Sequence, residues 1–181
     1  MIKYQDLLKN LKKIKSTSPH VFAIDGVAGA GKTTLASKLQ LDIPCSQVVH
    51  MDDLYNGWQD PLSQELSKRV YDEILDPFLQ GYEVLYKKFN WYQNVFDQTI
   101  KIPPTKTLFL EGVGAGQRAF RNVLSRIIWV EFDPETGFER VITRDGEVVQ
   151  PQMLNFLRDQ TKHFSAELTN KAADYTISGV P

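Results

Sequence analysis

The sequence has little that would suit a secreted, membrane-bound or nucleic-acid-binding protein. Its single cysteine, Cys45, permits no disulfide framework and no cysteine-based metal site, which is typical of a reducing cytoplasm. The formal net charge is −1, whereas a nucleic-acid scaffold would show a strong basic excess. The first residues lack the apolar core of a signal peptide, and no apolar run approaches membrane-spanning length. We therefore expect a soluble cytoplasmic protein with no nucleic-acid or membrane partner. Its oligomeric state is left open.

Short apolar segments alternate along the chain with segments of helical spacing. Five of the apolar segments have the length of buried strands: 20–25, 47–51, 107–110, 126–130 and 174–177. Helical patterns cover 61–79, a stretch from 134 past 144, and 151–171. Residues 82–102 instead alternate aromatic and polar side chains and carry turn signals, which indicates a β-like excursion or lid. The alternation predicts an α/β fold with a parallel sheet covered on both faces, whose substrates bind beyond the carboxyl ends of the strands.

One octapeptide, from Gly26 to Thr33, fits the phosphate-binding pattern G-x-x-x-x-G-K-[ST] between a predicted strand and a predicted helix. Its glycines allow backbone N–H groups to turn inward around an anion, and the N-terminus of the next helix adds partial positive charge. We expect Lys32 to reach the β- and γ-phosphates of a nucleoside triphosphate, and the Thr33 hydroxyl to hold Mg²⁺. The predicted nucleotide-binding residues are Gly26, Val27, Ala28, Gly29, Ala30, Gly31, Lys32, Thr33 and Thr34.

The chain lacks the further motifs of several classes of P-loop protein. A GTPase needs an Asp-x-x-Gly switch, but the third predicted strand ends in Glu111-Gly112. A GTPase also needs an Asn-Lys-x-Asp base reader, and the segment 170–174 has one residue too many for it. The Leu-Ser-Gly-Gly-Gln signature of transporter ATPases is absent, and 181 residues leave little room for the helical lid domain of an AAA-type motor. A small-molecule kinase is the class that remains.

An acidic pair, Asp52 and Asp53, follows the second predicted strand. A kinase must receive the proton of the acceptor hydroxyl as the new P–O bond forms, and a carboxylate at hydrogen-bonding distance can orient the hydroxyl and take that proton. We predict that Asp52 is this base and that Asp53 binds substrate, while the pattern leaves open which of the two is the base. In the structural alternative, both residues cap a turn.

Three more charged residues are candidates for the phosphate site. Glu111, at the end of the third predicted strand, can hold the hydration shell of Mg²⁺ or contact substrate, or can serve only as a helix N-terminal carboxylate. Arg140 and Arg144 lie one helical turn apart, where two cations can stabilise charge on a moving phosphoryl group. A solvated helix face would give the same pattern.

Together these segments resemble the uridine kinase-like group of P-loop nucleoside and nucleotide kinases. Residues 24–35 look like the P-loop of that family, and residues 51–55 look like its Asp-Ser-Phe-Tyr segment. Glu111-Gly112 matches its strand-end Glu-Gly, and Arg140 with Arg144-Asp145 resembles its lid arginines. The resemblance implies a three-layer α/β sandwich with a five-stranded parallel sheet and a small mobile lid, and ATP with Mg²⁺ as the phosphoryl donor.

The resemblance also assigns roles on the acceptor side. It places Asp52 as the catalytic carboxylate and Tyr55 as an aromatic residue that lines the substrate. Two segments depart from the family pattern. Where uridine kinases carry an Asp-rich segment for the ribose hydroxyls, residues 86–91 offer Asn90, which can hydrogen-bond a diol. Residues 146–149 replace the Glu-Arg-Gly-Arg continuation of the lid.

Aromatic residues concentrate in the predicted acceptor segments: Tyr55, Trp58, Phe89, Trp91 and Tyr92. Such rings could stack a nucleobase or could form the core of the lid, and the pattern leaves both readings open.

A second glycine motif, at 114–119, imitates the G-x-G-x-x-A fingerprint of dinucleotide-binding domains. The intervening helix is short and the rest of the chain is too brief for the remainder of such a domain, so we reject that reading. We expect its glycines to let the backbone approach substrate near Glu111, with Arg118 as a contact for acceptor or phosphate.

The predicted function is transfer of the γ-phosphoryl group of ATP to a hydroxyl of a small molecule, with a nucleoside such as uridine as the favoured acceptor. The alternatives are a kinase for another metabolite alcohol and a non-catalytic ATP-binding regulator. We expect residues 1–181 to form a single domain, with its acceptor side at 52–102 and its lid at 140–150. The predicted catalytic residues are Asp52, Lys32, Arg140 and Arg144. The predicted substrate-binding residues are Asp53, Tyr55, Trp58, Asn90, Trp91, Glu111 and Arg118, and the predicted metal ligands are Thr33 and Glu111.

Overall fold

A computed structural model describes residues 1–14 and 18–179 of the chain. Its strands are β1 His20–Gly26, β2 Ser46–His50, β3 Val84–Asn90, β4 Val95–Ile102, β5 Thr107–Glu111, β6 Arg126–Glu131 and β7 Tyr175–Ser178. Five of them form one parallel sheet in the order β2-β5-β1-β6-β7. The α/β class and the parallel sheet are therefore confirmed.

Helices cover both faces of this sheet. They are α1 Tyr4–Lys13, α2 Lys32–Asp42, α3 Gln64–Val70, α4 Asp76–Leu79, α5 Pro134–Asp145, α6 Gln150–Glu167 and α7 Thr169–Ala172. Successive side chains of a strand point to opposite faces, and along β1 Val21 and Ala23 pack in one apolar cluster with α3, α4 and α6. Phe22 and Ile24 pack in a second cluster with α1 and α2. The result is a three-layer sandwich, in which the parallel sheet is covered on both faces as the alternating pattern predicted.

Two predicted helix boundaries are corrected. The helix expected from Pro61 begins at Gln64, because the Ser63 hydroxyl accepts the N–H of Leu66 and so caps the first turn. It continues through a π-helical turn, Tyr71–Leu75, into α4. The helix expected at 151–171 breaks at Leu168, which has a left-handed φ of 54°. No helix in the described residues is long and apolar enough to cross a membrane.

The excursion expected at 82–102 is an antiparallel hairpin of β3 and β4. Its turn is held by Asn90, whose side-chain oxygen accepts the backbone N–H groups of Tyr92 and Gln93. The Asn90 side-chain N–H₂ donates to Asp97 on β4. Two helices, α3 and α4, lie between β2 and the hairpin in the chain. The hairpin tip returns to the carboxyl end of β2, where the Trp91 indole N–H donates to the Asp52 carbonyl.

The glycine segment after β5 surrounds a carboxylate of the protein itself. Asp25 is fully buried at the end of β1 and accepts the backbone N–H groups of Gly26, Gly114 and Gly116 at 2.8, 3.1 and 2.9 Å. Gly116 has no room for a side chain, because an added Cβ would lie 2.6 Å from the Thr169 methyl group. The two amides of the motif at 114–119 are thus engaged by Asp25. They tie the loop after β5 to the strand that carries the P-loop.

Burial of Asp25 has a consequence for stability. Desolvation raises the pKa of this carboxyl from 3.8 to about 6, although the three N–H groups and Lys32 oppose the shift. The folded state therefore holds the proton more tightly than the unfolded state, so the stabilisation is complete below pH 4 and is lost as the pH rises through about 6.

We expect Asp25→Asn, which does not titrate, to remove this pH dependence. The unfolding free energy of the unmodified protein, minus that of the variant, should fall by about 2–3 kcal/mol between pH 4 and pH 7. Urea denaturation at several pH values measures it. A difference that stays constant, or that grows with pH, would contradict the raised pKa.

Candidate functional site

A cleft of about 1160 Å³ opens beyond the carboxyl ends of β1, β2 and β5. Its floor is the P-loop and the start of α2, one wall is the turn after β2 with the hairpin tip, and the other wall comes from α5 and α6. Ligands of parallel α/β sheets bind at this edge because the loops that follow the strands converge there.

The P-loop wraps the start of α2. Gly31 has a left-handed φ of 89° and directly precedes the helix, so the loop turns sharply and the first N–H groups of α2 face the cleft. Lys32 is 8% exposed, and its ammonium donates to the Val27 carbonyl at 2.8 Å. Burial lowers the pKa of Lys32, while the charges of Glu111, Asp25 and Asp52 oppose the shift. The charges of these acids favour the cationic form of the lysine within the loop, where phosphate oxygens can replace the carbonyl.

Thr33, Glu111 and His50 meet at one carboxylate oxygen. The Thr33 hydroxyl donates to Glu111 Oε1 at 3.0 Å, and His50 Nδ1 lies 2.5 Å from the same atom. His50 and Glu111 are paired residues of the parallel ladder between β2 and β5. The hydrogen bond that His50 makes to the Glu111 carboxylate raises the pKa of His50, although burial opposes the shift. A hydroxyl beside a buried carboxylate is a donor set suited to Mg²⁺, which takes one or two protein carboxylates with phosphate oxygens.

The two adjacent aspartates have different surroundings. Asp53 is 9% exposed, with Lys88 Nζ at 2.8 Å and the Tyr86 hydroxyl at 3.5 Å from its carboxylate. Asp52 is exposed to the cleft, and within the described parts of the chain its carboxylate makes no hydrogen bond or ion pair. Neighbouring protein still displaces much of its bulk water, so desolvation raises the pKa of Asp52 and the charge of Glu111 adds to the shift. Both aspartates line the cleft, and Asp52 is the more exposed of the two.

Both predicted lid arginines line the cleft from α5. The Arg140 guanidinium lies 4.2 Å from the ring centroid of Phe132. Arg144 makes two parallel hydrogen bonds to Asp145, each 2.7 Å long. Within the cleft, the charge of Arg144 opposes the rise in the pKa of Asp52.

The predicted aromatic residues divide between the cleft and the hairpin core. Trp58, Trp91 and Tyr92 line the cleft, and the Trp91 indole N–H donates to the Asp52 carbonyl at 3.1 Å. Tyr55 also lines it, but its hydroxyl already donates to the Val113 carbonyl at 2.8 Å. Phe89 is 2% exposed and packs against Phe96 within the hairpin, outside the cleft.

Two predicted substrate contacts are not brought to the cleft. The side-chain oxygen and N–H₂ group of Asn90 form hydrogen bonds within the hairpin turn. Arg118 is exposed near the end of the segment 114–119, and its backbone N–H donates to the Glu167 carboxylate at 2.5 Å.

Other cleft residues were missed by sequence reasoning. His50 could have been predicted, because it lies two residues before Asp52 at the end of a predicted strand. That strand pairs with the strand of Glu111. Lys88 could not be identified in this way, and neither could Met153 and Phe156 of α6, which also line the cleft. Their spacing only indicates one apolar face of a helix.

Two curated relatives resemble most of this chain. It is 24% identical over 151 residues to uridine kinase of Saccharomyces cerevisiae, and 27% identical over 143 residues to uridine kinase of Limosilactobacillus reuteri. The matches cover 71% and 70% of this chain but only 29% and 65% of the relatives, so the chain spans less than two thirds of either. No protein-family model matches the chain.

A solved structure described as a possible uridine kinase from Bacillus stearothermophilus has the same fold. It superimposes with a TM-score of 0.73 over 96% of each chain, at 16% sequence identity. At that identity the match speaks for the fold alone. With the two relatives, it confirms the resemblance to uridine kinase-like P-loop kinases and the fold class.

The buried ammonium of Lys32 gives a test of the phosphate site. Lys32→Met keeps the length of the side chain but removes the charge, and we expect it to weaken ATP binding by on the order of 10- to 100-fold, the range for charge-assisted hydrogen bonds. Isothermal titration calorimetry with ATP and Mg²⁺ measures the dissociation constant. Lys38→Met, on the exposed face of the same helix, is the matched control and should bind ATP normally. Equal affinity in both variants would place the triphosphate elsewhere.

Proposed function

We propose that this protein is a small-molecule kinase, which transfers the γ-phosphoryl group of ATP to a hydroxyl of a small acceptor. The observation that carries the proposal is the position of Asp52: its carboxylate opens into the same cleft as the P-loop, within the electrostatic influence of Lys32. The similarity to uridine kinases supports a kinase-like function independently.

The P-loop half of the cleft binds the donor. Backbone N–H groups at the start of α2 surround the phosphates, and Lys32 exchanges the Val27 carbonyl for β- and γ-phosphate oxygens. Thr33 and Glu111 would hold Mg²⁺, which when bound neutralises charge on the β- and γ-phosphates. The Thr33 hydroxyl would then turn its lone pair to the metal.

The acceptor half positions the hydroxyl. Asp52 accepts its hydrogen bond and takes the proton as the bond from the acceptor oxygen to the γ-phosphorus forms and the bond from phosphorus to the β-phosphate oxygen breaks. Lys32, Arg140 and Arg144 stabilise the charge of the transferred group. The raised pKa of Asp52 suits this role, because it makes the carboxylate a better proton acceptor.

A nucleoside such as uridine is our first candidate for the acceptor. The relatives are uridine kinases, and Trp58, Trp91 and Tyr92 offer ring faces to a planar base. Acceptor contacts come from 52–102, and we propose that 140–150 acts as a lid within a single kinase domain.

A kinase for another metabolite alcohol is the second candidate, and one observation favours it. In the hairpin segment 86–91, where the uridine kinase pattern carries aspartates, Asn90 is bound to the hairpin instead of facing the cleft. A non-catalytic ATP-binding regulator fits less well. A protein that only senses ATP has no acceptor hydroxyl to deprotonate, so it would gain nothing from the acidic pair beside the phosphate site, where two adjacent like charges are costly.

A coupled assay for ADP release, run over a panel of acceptors, tests the function directly. We expect turnover to be stimulated by one class among nucleosides, sugars, pantothenate and shikimate-like alcohols, and to require Mg²⁺. Stimulation by a non-nucleoside alone would select the second candidate. Tight ATP binding with no stimulation by any class would favour the regulator.

The base is tested with the acceptor that the panel identifies. Asp52→Asn keeps the shape of the side chain but cannot take a proton, so we expect kcat to fall by about 10²- to 10⁴-fold while ATP still binds. Asp72→Asn, an exposed aspartate of the π-helical turn, is the matched control and should keep normal kcat. Near-normal turnover of Asp52→Asn would rule out Asp52 as the base.

A further inference from the structure

Ala28, in the middle of the P-loop, is held by two helices from the second half of the chain. Its backbone N–H donates to Gln160 Oε1 of α6 at 2.8 Å, and Gln160 is not among the residues that line the cleft. Its carbonyl oxygen lies against Gly137 of α5, only 2.4 Å from the position that a Cβ on Gly137 would occupy. This residue of the loop is thus held by a hydrogen bond at its backbone N–H and by a close backbone contact at its carbonyl.

The contact with α5 is backbone against backbone. A Cβ on Gly29 would lie 2.1 Å from the Gly137 carbonyl oxygen, so neither glycine can carry a side chain without displacing the other segment. Gly137 is buried within the second turn of α5, three residues before Arg140. The same contact that supports the loop therefore sets where the arginine-bearing part of α5 begins.

Gln160 lies on the face of α6 that also contributes to the proposed acceptor half of the cleft. The buried residues of α6 are Met153, Phe156 and Gln160, and the first two line the cleft. Gln160 is 3% exposed, and its hydrogen bond to Ala28 offsets the free-energy cost of burying the side-chain amide. The helix α6 thus contacts the P-loop through Gln160 and lines the cleft through Met153 and Phe156.

We propose that Gln160 and Gly137 are positioning residues that hold the P-loop in its phosphate-binding conformation by clamping Ala28 between α6 and α5. This inference rests on the proposed binding of ATP. A buried backbone N–H without a partner costs free energy, so a loop that directs one N–H away from the phosphate is stabilised when that N–H has a partner elsewhere. Gln160 is that partner. Without it, the loop gains by turning the Ala28 N–H toward water, and ATP must reverse this change on binding.

Gln160→Met tests the hydrogen bond, because it keeps the length of the side chain and removes the acceptor. We expect the dissociation constant for ATP with Mg²⁺ to rise about tenfold, the typical effect of leaving one buried donor without a partner. Calorimetry well below the melting temperature measures it on folded protein.

Gln117→Met is the matched control. Gln117 is also a buried glutamine whose Oε1 accepts one hydrogen bond, from the Ser67 hydroxyl, but it lies outside the cleft. It should lose thermal stability as Gln160→Met does, while its affinity for ATP stays unchanged. If Gln160 were merely structural, both variants would bind ATP normally.

Gly137→Ala tests the backbone contact independently. In an unobstructed helix this change is stabilising, because alanine is the better helix former. Here the new methyl group must push α5 and the P-loop apart, so we expect a lower melting temperature and ATP affinity weakened at least tenfold. Glu139→Ala, on the exposed side of the same helix, should bind ATP normally.

The outcomes separate the two proposals. If the unmodified protein binds ATP, and Gln160→Met and Gly137→Ala bind it with the same affinity as the unmodified protein, the clamp is refuted and the proposed function stands. If the unmodified protein does not bind ATP, the proposed function fails and the clamp fails with it.

Discussion

Parallel hydrogen bonding between β1, β5 and β2 is the constraint on which the cleft depends. Ile24, Glu111 and His50 stand in one row across these strands. The chain leaves the sheet just beyond that row in each case, into the P-loop, the glycine segment and the turn that carries Asp52. Groups far apart in sequence therefore meet: Thr33 and Glu111, separated by 78 residues, form a hydrogen bond. Loss of this register would separate the phosphate-binding loop from the carboxylates.

The segments at and just beyond this row bring charges of both signs close together. Burial alone would favour neutral forms of Lys32, Asp25 and Asp52, and each charge partly offsets the desolvation of its neighbours. Positive charge lies at the P-loop and on α5, while the accessible negative charge lies at the end of β2. A site polarised in this way suits a reaction in which charge moves along a line from an acceptor oxygen to a phosphate, because its dipoles are oriented before the reactants arrive.

The two halves of the cleft are built by different means. The phosphate half is made of strand ends and a helix start, so its geometry follows from the sheet. The proposed acceptor half is made of the hairpin tip and one face of α6, which are positioned by side-chain packing and not by the hydrogen bonds of the parallel sheet. Such elements tolerate change more easily than the strands that support them. This difference accounts for a P-loop half that matches the uridine kinase pattern beside a segment, 86–91, that departs from it.

Local patterns were enough to predict the P-loop, the five strands of the sheet and the strand-end positions of Asp52 and Glu111, because each depends on residues a few positions apart. Only the tertiary structure decided that Asp52 faces the cleft while Asp53 pairs with Lys88, and that Asn90 closes a hairpin turn. It also joined Gln160 to Ala28 across 132 residues. The physical reason is that the partner of a side chain is set by the packing of whole elements, through many weak contacts that no short stretch of sequence contains.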